Sequence, residues 1–248
     1  MKKLAFLALL LLGTMAASAQ KADTARMVVN RYLSLMNLDA ALRSDSVLFI
    51  ETAIVQRDNP QDTVWMRRWY VKPNLARIEL WHKGRLSFGI YGNGRGKYRH
   101  YEAQKKVWLD AQEDSYLDVA SAYDFRTPLY FSRTNGMEME YKGEWNYNSN
   151  EVQRILVSDP VRYDRYYLFE KKSGLLFLIQ ELDSHSEDMA TGDAHKVDWR
   201  AYHEYVPFGT FSLLPSVESY QADGIVTFQH HTYRYLPLDL NLFNNDRP

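Results

Sequence analysis

From Val47 onward, stretch after stretch of the chain alternates apolar and polar residues one for one, broken mainly by turn residues. A period of two marks strands whose successive side chains point to opposite faces. VLFIETAIVQ (47–56) is the first. TVWMRRWYV (63–71), LARIELW (75–81), RLSFGIY (85–91) and KYRHYEA (97–103) follow at hairpin spacing. DNPQD (58–62), His82-Lys83-Gly84 and GNGRG (92–96) serve as turns between strands. The beat resumes in MEMEYKGE (137–144), EVQRILVS (151–158), RYDRYYLFE (162–170), LLFLIQEL (175–182), HKVDWRAYHEYV (195–206), LPSVESYQ (214–221) and IVTFQHHTYRYL (225–236). The expectation is an α+β chain that is mainly antiparallel β, a meander of about eleven strands. A sheet of that size curls or closes, and its concave face must be filled.

Two stretches break the period and supply the filler. In TARMVVNRYLSLMNLDAALR (24–43), Val28, Val29, Tyr32, Leu33, Leu35, Met36 and Leu42 recur at three- and four-residue spacing, with Asp23 or Thr24 as cap. In EDSYLDVASAYDF (113–125), Tyr116, Leu117, Val119, Ala120 and Tyr123 fit a short helix closed off by Pro128. SHSEDMATGD (184–193) reads as a polar loop. In VKPNLARIEL (71–80), Pro73 suits a strand entry, where its missing N–H costs no ladder bond. Arg77 and Glu79 then face one way, Ile78 and Leu80 the other. No linker divides the chain, so residues 20–248 are expected to form a single domain.

Residues 1–19 are set apart by their pattern. Lys2 and Lys3 precede an apolar run from Leu4 to Leu12, and Ala17-Ser18-Ala19 supplies small residues at a cleavage point. That is the layout of an export signal, and the run is too short for a membrane span. The mature chain is therefore expected in the periplasm, or fully secreted, with no transmembrane segment. It contains no cysteine, which excludes disulfides, thiol nucleophiles and thiolate metal sites. Without Lys2 and Lys3, 28 of the 30 basic residues remain against 31 acidic ones. That balance implies no basic face for nucleic acid. Eighteen Tyr, eleven Phe and six Trp favour strands and can line an apolar pocket.

No catalytic constellation emerges. GNGRG lacks the lysine and hydroxyl residue of a phosphate loop. His230 and His231 are neighbours on one strand and point apart, and His195 and His203 lie roughly 26 Å apart if the strand is extended. Asp110, Glu113, Asp114, Asp118, Asp183, Glu187 and Asp188 sit in loops and helix starts, where solvation and capping account for them. No serine has a nucleophile-elbow context. Neither a metal nor a cofactor is implied.

The order of these features resembles the LolA-like family of periplasmic lipoprotein carriers and their relatives. The resemblance lies in the first helix with RYLSLMNLDAALR, in Trp69-Tyr70-Val71-Lys72-Pro73-Asn74, in YYLFEKKSGLL (166–176) and in YRYLPLDLNLF (233–243). It implies an incomplete, curved half-barrel of eleven strands whose concave face is covered by helices, and a cavity for acyl chains. In the carriers of that family an arginine before the proline helps hold the lid closed; Lys72 stands at the matching position, without the planar fork of arginine. Candidate lining residues are Val71, Lys72, Ile78, Leu80, Phe88, Ile90, Leu117, Ala120 and Phe169. The expected function is non-catalytic carriage or sensing of a lipid or lipoprotein acyl group. Two other readings stay open: a structural or protein-interaction module of the cell envelope whose own side chains fill the interior, and a secreted hydrolase using loop carboxylates.

Overall fold

A computed structural model describes residues 20–72, 75–93, 96–122, 125–131, 136–158, 164–181 and 198–244. The export signal at 1–19, Pro73, the middle of GNGRG and the 184–193 loop lie outside the described residues. Helix α1 covers 20–36, and α2 is a single turn, Leu38–Ala41. Strands β1 (Ser46–Gln56), β2 (Asn59–Val71), β3 (Leu75–His82), β4 (Arg85–Gly92), β5 (Tyr98–Glu102) and β6 (Val107–Asp110) precede helix α3 (Glu113–Ala122). Then come β7 (Glu138–Tyr147), β8 (Asn150–Ser158), β9 (Arg165–Glu170), β10 (Leu176–Glu181), β11 (Trp199–Phe208), β12 (Ser212–Ala222) and β13 (Ile225–Pro237). The strands hydrogen-bond in the order β6-β5-β4-β3-β2-β1-β13-β12-β11-β10-β9-β8-β7. The order has two ends, so the sheet is not closed on itself. The mainly antiparallel α+β expectation holds, with thirteen strands among the described residues instead of about eleven.

The differences have local causes. Residues VWLD of β6 are too few to establish an alternation. The first helix starts earlier than its expected cap: the Thr24 hydroxyl lies inside it and donates to the Gln20 carbonyl at 2.9 Å. It also stops at Asn37, which takes the left-handed conformation at φ 42 and ψ 51. Asparagine is among the few non-glycine residues that tolerate this region.

The described residues fall into two compact units. One comprises the described parts of 1–35, 128–201 and 222–224. Here α1 buries Ala25, Val28, Val29 and Tyr32, and the Tyr32 ring stands 5.5 Å from Phe169 of β9. Arg31 on the same helix donates to the carbonyls of Lys171 and Lys172 at 3.2 and 2.9 Å. That approach needs Gly174, because a Cβ there would lie 2.6 Å from Arg31 Nε. On this sheet's other face, Val152, Leu168 and Leu178 form a cluster with Tyr147, Tyr166, Phe177 and Trp199 around it.

The second unit comprises the described parts of 36–127, 202–221 and 225–248. It holds β1 to β6, most of β11, β12, β13, α2 and α3. Two apolar layers lie on opposite faces of its strands. Leu48, Ile50, Tyr70, Ala76, Ile78 and Ile90 form one, with Leu42 and with Tyr116 of α3 packed on it. Val47, Val71 and Phe243 form part of the other, with Trp69, Leu75, Leu236 and Leu242. Antiparallel strands buried on both faces leave few positions for solvent, and even Arg77 and Glu79 are 2% exposed.

Candidate ligand-binding face

The ladder registers set the first of these layers in cross-strand rows. Tyr235, Leu48, Tyr70, Ala76, Gly92 and Tyr98 form one row. Tyr233, Ile50, Arg68, Ile78, Ile90 and His100 form the next, and His231, Thr52, Met66, Leu80 and Phe88 a third. Directly opposed residues share a face, so all three rows belong to one surface. Ile50 and Ile78 are fully buried, while Phe88, Tyr98, Val119, Phe125, Phe208, Tyr233 and Tyr235 pack on the layer and stay partly exposed.

Helix α3 is fixed on this face through Tyr116. A Cβ on Gly92 would lie 2.5 Å from the Tyr116 ring, so the ring occupies the place a side chain would take. The Ala76 backbone hydrogen-bonds the Tyr116 hydroxyl, and burial pushes its phenol up to about 12. The Tyr98 ring lies 4.5 Å away, and its hydroxyl donates to Glu113 at 3.2 Å.

The structure brings together Ile78, Leu80, Phe88 and Ile90 of the expected lining residues. Val71 belongs to the opposite layer, since its register partner is Leu75 and not Ala76. Leu117 is on α3 but 52% exposed, because Tyr116 occupies the inward position. Phe169 lies in the other unit against Tyr32. The side chain of Ala120 lies outside the described residues. Lys72 is exposed, and its Nζ donates to the Asp39 carbonyl of α2 at 2.7 Å. Its backbone N–H also donates to Arg43 at 3.1 Å. Further side chains hold the same short turn: Ser212 donates to the Asn37 carbonyl at 3.0 Å, and Tyr235 to the Ala41 carbonyl at 3.0 Å.

The polar part of this face was absent from the expected lining. Arg68 Nη2 donates to Thr52 Oγ1 at 2.9 Å, and Thr52 Oγ1 is 2.8 Å from His231 Nδ1. Arg68 donates to the Thr52 hydroxyl, which bridges it to the His231 ring, whose second nitrogen is Nε2. Glu218 Oε1 is 3.3 Å from that nitrogen. Beside it, burial raises the phenol of Tyr233, whose hydroxyl donates to the Pro215 carbonyl at 2.5 Å. The signal was parity: Arg68 shares a strand face with Met66 and Tyr70, where the pattern calls for an apolar residue. His230, one residue away, is exposed, so the adjacent histidines do point apart.

The opposite face holds a buried charge pair. Arg77 Nη2 lies 2.6 Å from Glu79 Oε1, and Arg77 Nη1 donates to the Leu242 carbonyl at 2.9 Å. Its guanidinium stands 5.3 Å from the Tyr91 ring centre and 5.1 Å from that of Trp108. Trp81 Nε1 donates to Glu79 at 2.8 Å. Among the acids, Arg99 Nε lies 3.3 Å from Asp110 Oδ1. Asp183, Glu187 and Asp188 lie outside the described residues. Among the described residues, no group of three His, Cys, Asp or Glu side chains is arranged to hold a metal. Nor is any helix among them long and apolar enough to cross a membrane.

No family model matches the chain, and no curated protein sequence matches it. Solved structures do. A LolA superfamily protein from Nitrosomonas europaea aligns over 90% of this chain and 98% of its own, with TM-score 0.56 and 9% identity. A domain assigned to outer membrane lipoprotein sorting, from Vibrio parahaemolyticus, aligns over 87% and 97%, with TM-score 0.55 and 10% identity. The fold is LolA-like. A DUF1329 family protein from Desulfovibrio piger aligns over 88% and 96%, with TM-score 0.54 and 10% identity. At such identities the likeness to LolA-like proteins is one of fold, and the resemblance read from the four sequence stretches is met at that level.

Proposed function

We propose that the protein is an exported, periplasmic binding protein that takes up acyl chains of a lipid or lipoprotein, as a non-catalytic carrier or sensor. The observation behind this reading is the aliphatic floor of Leu48, Ile50, Ile78 and Ile90. Half-buried side chains, including Phe88 and Phe125, pack around it, and half-buried Leu80 stands opposite Phe88 in register. Side chains pack on that floor, and changes of their rotamers would admit a chain without breaking a ladder. Each methylene buried there contributes about 0.8 kcal/mol, enough for binding with no specific polar contact. The LolA-like fold supports the same reading, since one fold relative is assigned to lipoprotein sorting.

The test is titration of delipidated protein with an uncharged fluorescent apolar probe. Saturable binding is expected, weakened about ten-fold or more in Leu80→Glu, whose half-buried site tolerates the change better than fully buried Ile78. Circular dichroism checks that the variant folds. Absence of saturable binding in the wild type overturns the proposal and favours an interior filled by the protein's own side chains.

A further inference from the structure

The aliphatic face has a guanidinium set into its middle. Arg68 stands in register between Ile50 and Ile78, with Ile90 one strand farther on, and is 6% exposed. Burying a charge at an apolar wall costs several kcal/mol, so side chains gather around it. Thr52 accepts from it, and His231 Nδ1 is 3.4 Å from the same nitrogen. Thr52 is fully buried, and the His231 side chain is 4% exposed. Arg68, Thr52 and His231 thus group polar atoms at one end of the strip formed by Ile78, Leu80, Phe88 and Ile90, with the Arg68 guanidinium supplying the N–H donors. The groups facing them are Glu218 on β12, Tyr233 on β13, and the Tyr70 and Tyr202 phenols, which lie close enough to interact with Tyr233. Glu218 Oε1 lies 3.3 Å from His231 Nε2.

We propose that Arg68 marks the polar end of the acyl site, and that the site selects single-chain amphiphiles with an anionic head, a carboxylate or phosphate. This rests on the acyl-binding reading above. A neutral head on the same chain gains only burial. An oxyanion gains charge-assisted hydrogen bonds from a guanidinium that is already desolvated and held in place by Thr52. The chain then lies along Ile78, Ile90, Leu80 and Phe88, away from the head.

The experiment is displacement of Nile red, an uncharged probe, from the full chain by dodecanoate and by 1-dodecanol, both below their aggregation limits. Dodecanoate is expected to displace the probe at a concentration at least about ten-fold lower than the alcohol. Arg68→Met is expected to bring the two within about two-fold of each other while the probe still binds. Arg68→Lys keeps the charge without the fork and should retain part of the preference. If Arg68→Met fails to fold, the wild-type ratio and Arg68→Lys decide. Equal displacement in the wild type overturns head selection and leaves acyl binding standing. A preference that survives in Arg68→Met overturns the assignment to Arg68. Displacement by inorganic phosphate alone points to a free anion and not an amphiphile, and also overturns the proposal. Failure of Nile red itself to bind removes both readings.

Discussion

Two positions apart on β3, Arg77 and Glu79 leave solvent together, and each depends on the other for its charge. Removing one partner of such a pair strands the other in a low-dielectric layer, which costs about 3–5 kcal/mol; replacing both is far milder. Arg77→Met is therefore expected to lower the urea midpoint sharply. Arg77→Met combined with Glu79→Gln, which keeps an acceptor for Trp81, should recover more than half of that loss. A double variant as unstable as the single one would show that the aromatic cage around Arg77, and not the stranded carboxylate, dominates. Lys72 works at the same scale on the edge of the fold. Its ammonium holds one α2 carbonyl from an exposed position, a contact worth about 1 kcal/mol. Lys72→Ala should accelerate amide exchange in Leu38–Ala41 and leave global stability nearly unchanged. Unchanged exchange would mean that Ser212 and Tyr235 suffice to hold the turn.

At the scale of elements, the helices were legible as periods and the strands as alternation, while their limits obeyed contacts that neither pattern contains. Asn37 ends α1 because its carbonyl meets Ser212, a residue 175 positions away. Val71 was grouped with Ile78 by hydrophobicity, but its register with Leu75 puts it on the other layer. In LARIELW the alternation assigned the faces correctly. It carries no measure of burial, and here both faces are covered, Arg77 and Glu79 included. Arg68 escaped notice for another reason, a charge on the apolar parity. Nothing in the sequence pairs Gly92 with Tyr116, yet that contact seats α3. Gly92→Ala should cost about 1–3 kcal/mol by driving a methyl into the ring. Tyr116→Ala should cost more, since it empties a buried site. The double variant should fall well short of the sum, a coupling read from a double-mutant cycle of urea midpoints. Strict additivity would mean that α3 does not rely on this notch.

For the molecule as a whole, the aromatic excess that favoured strands also determines how the fold meets alkali. Burial raises the phenols of Tyr116, Tyr167 and Tyr233 in the native state, with Tyr116 at about 12. Their ordinary value is 10.0, which is where the unfolded chain ionises. Below pH 10 both states hold these protons, and the full contribution to stability is present. Above it the unfolded chain loses protons that the native state keeps, so stability falls as pH rises toward the native value. For Tyr116 alone the loss between pH 10 and 12 amounts to about 2–3 kcal/mol at most. Urea midpoints are expected to hold steady from pH 7 to 9.5 and then drop. The phenolate absorbance of the buried tyrosines should appear only with unfolding. Tyr116→Phe starts from lower stability, having lost the Ala76 hydrogen bond, but its midpoint should decline less steeply above pH 10. If wild type and Tyr116→Phe decline in parallel, Tyr116 ionises in the native state as easily as in the unfolded chain, and the seat of α3 is open to water.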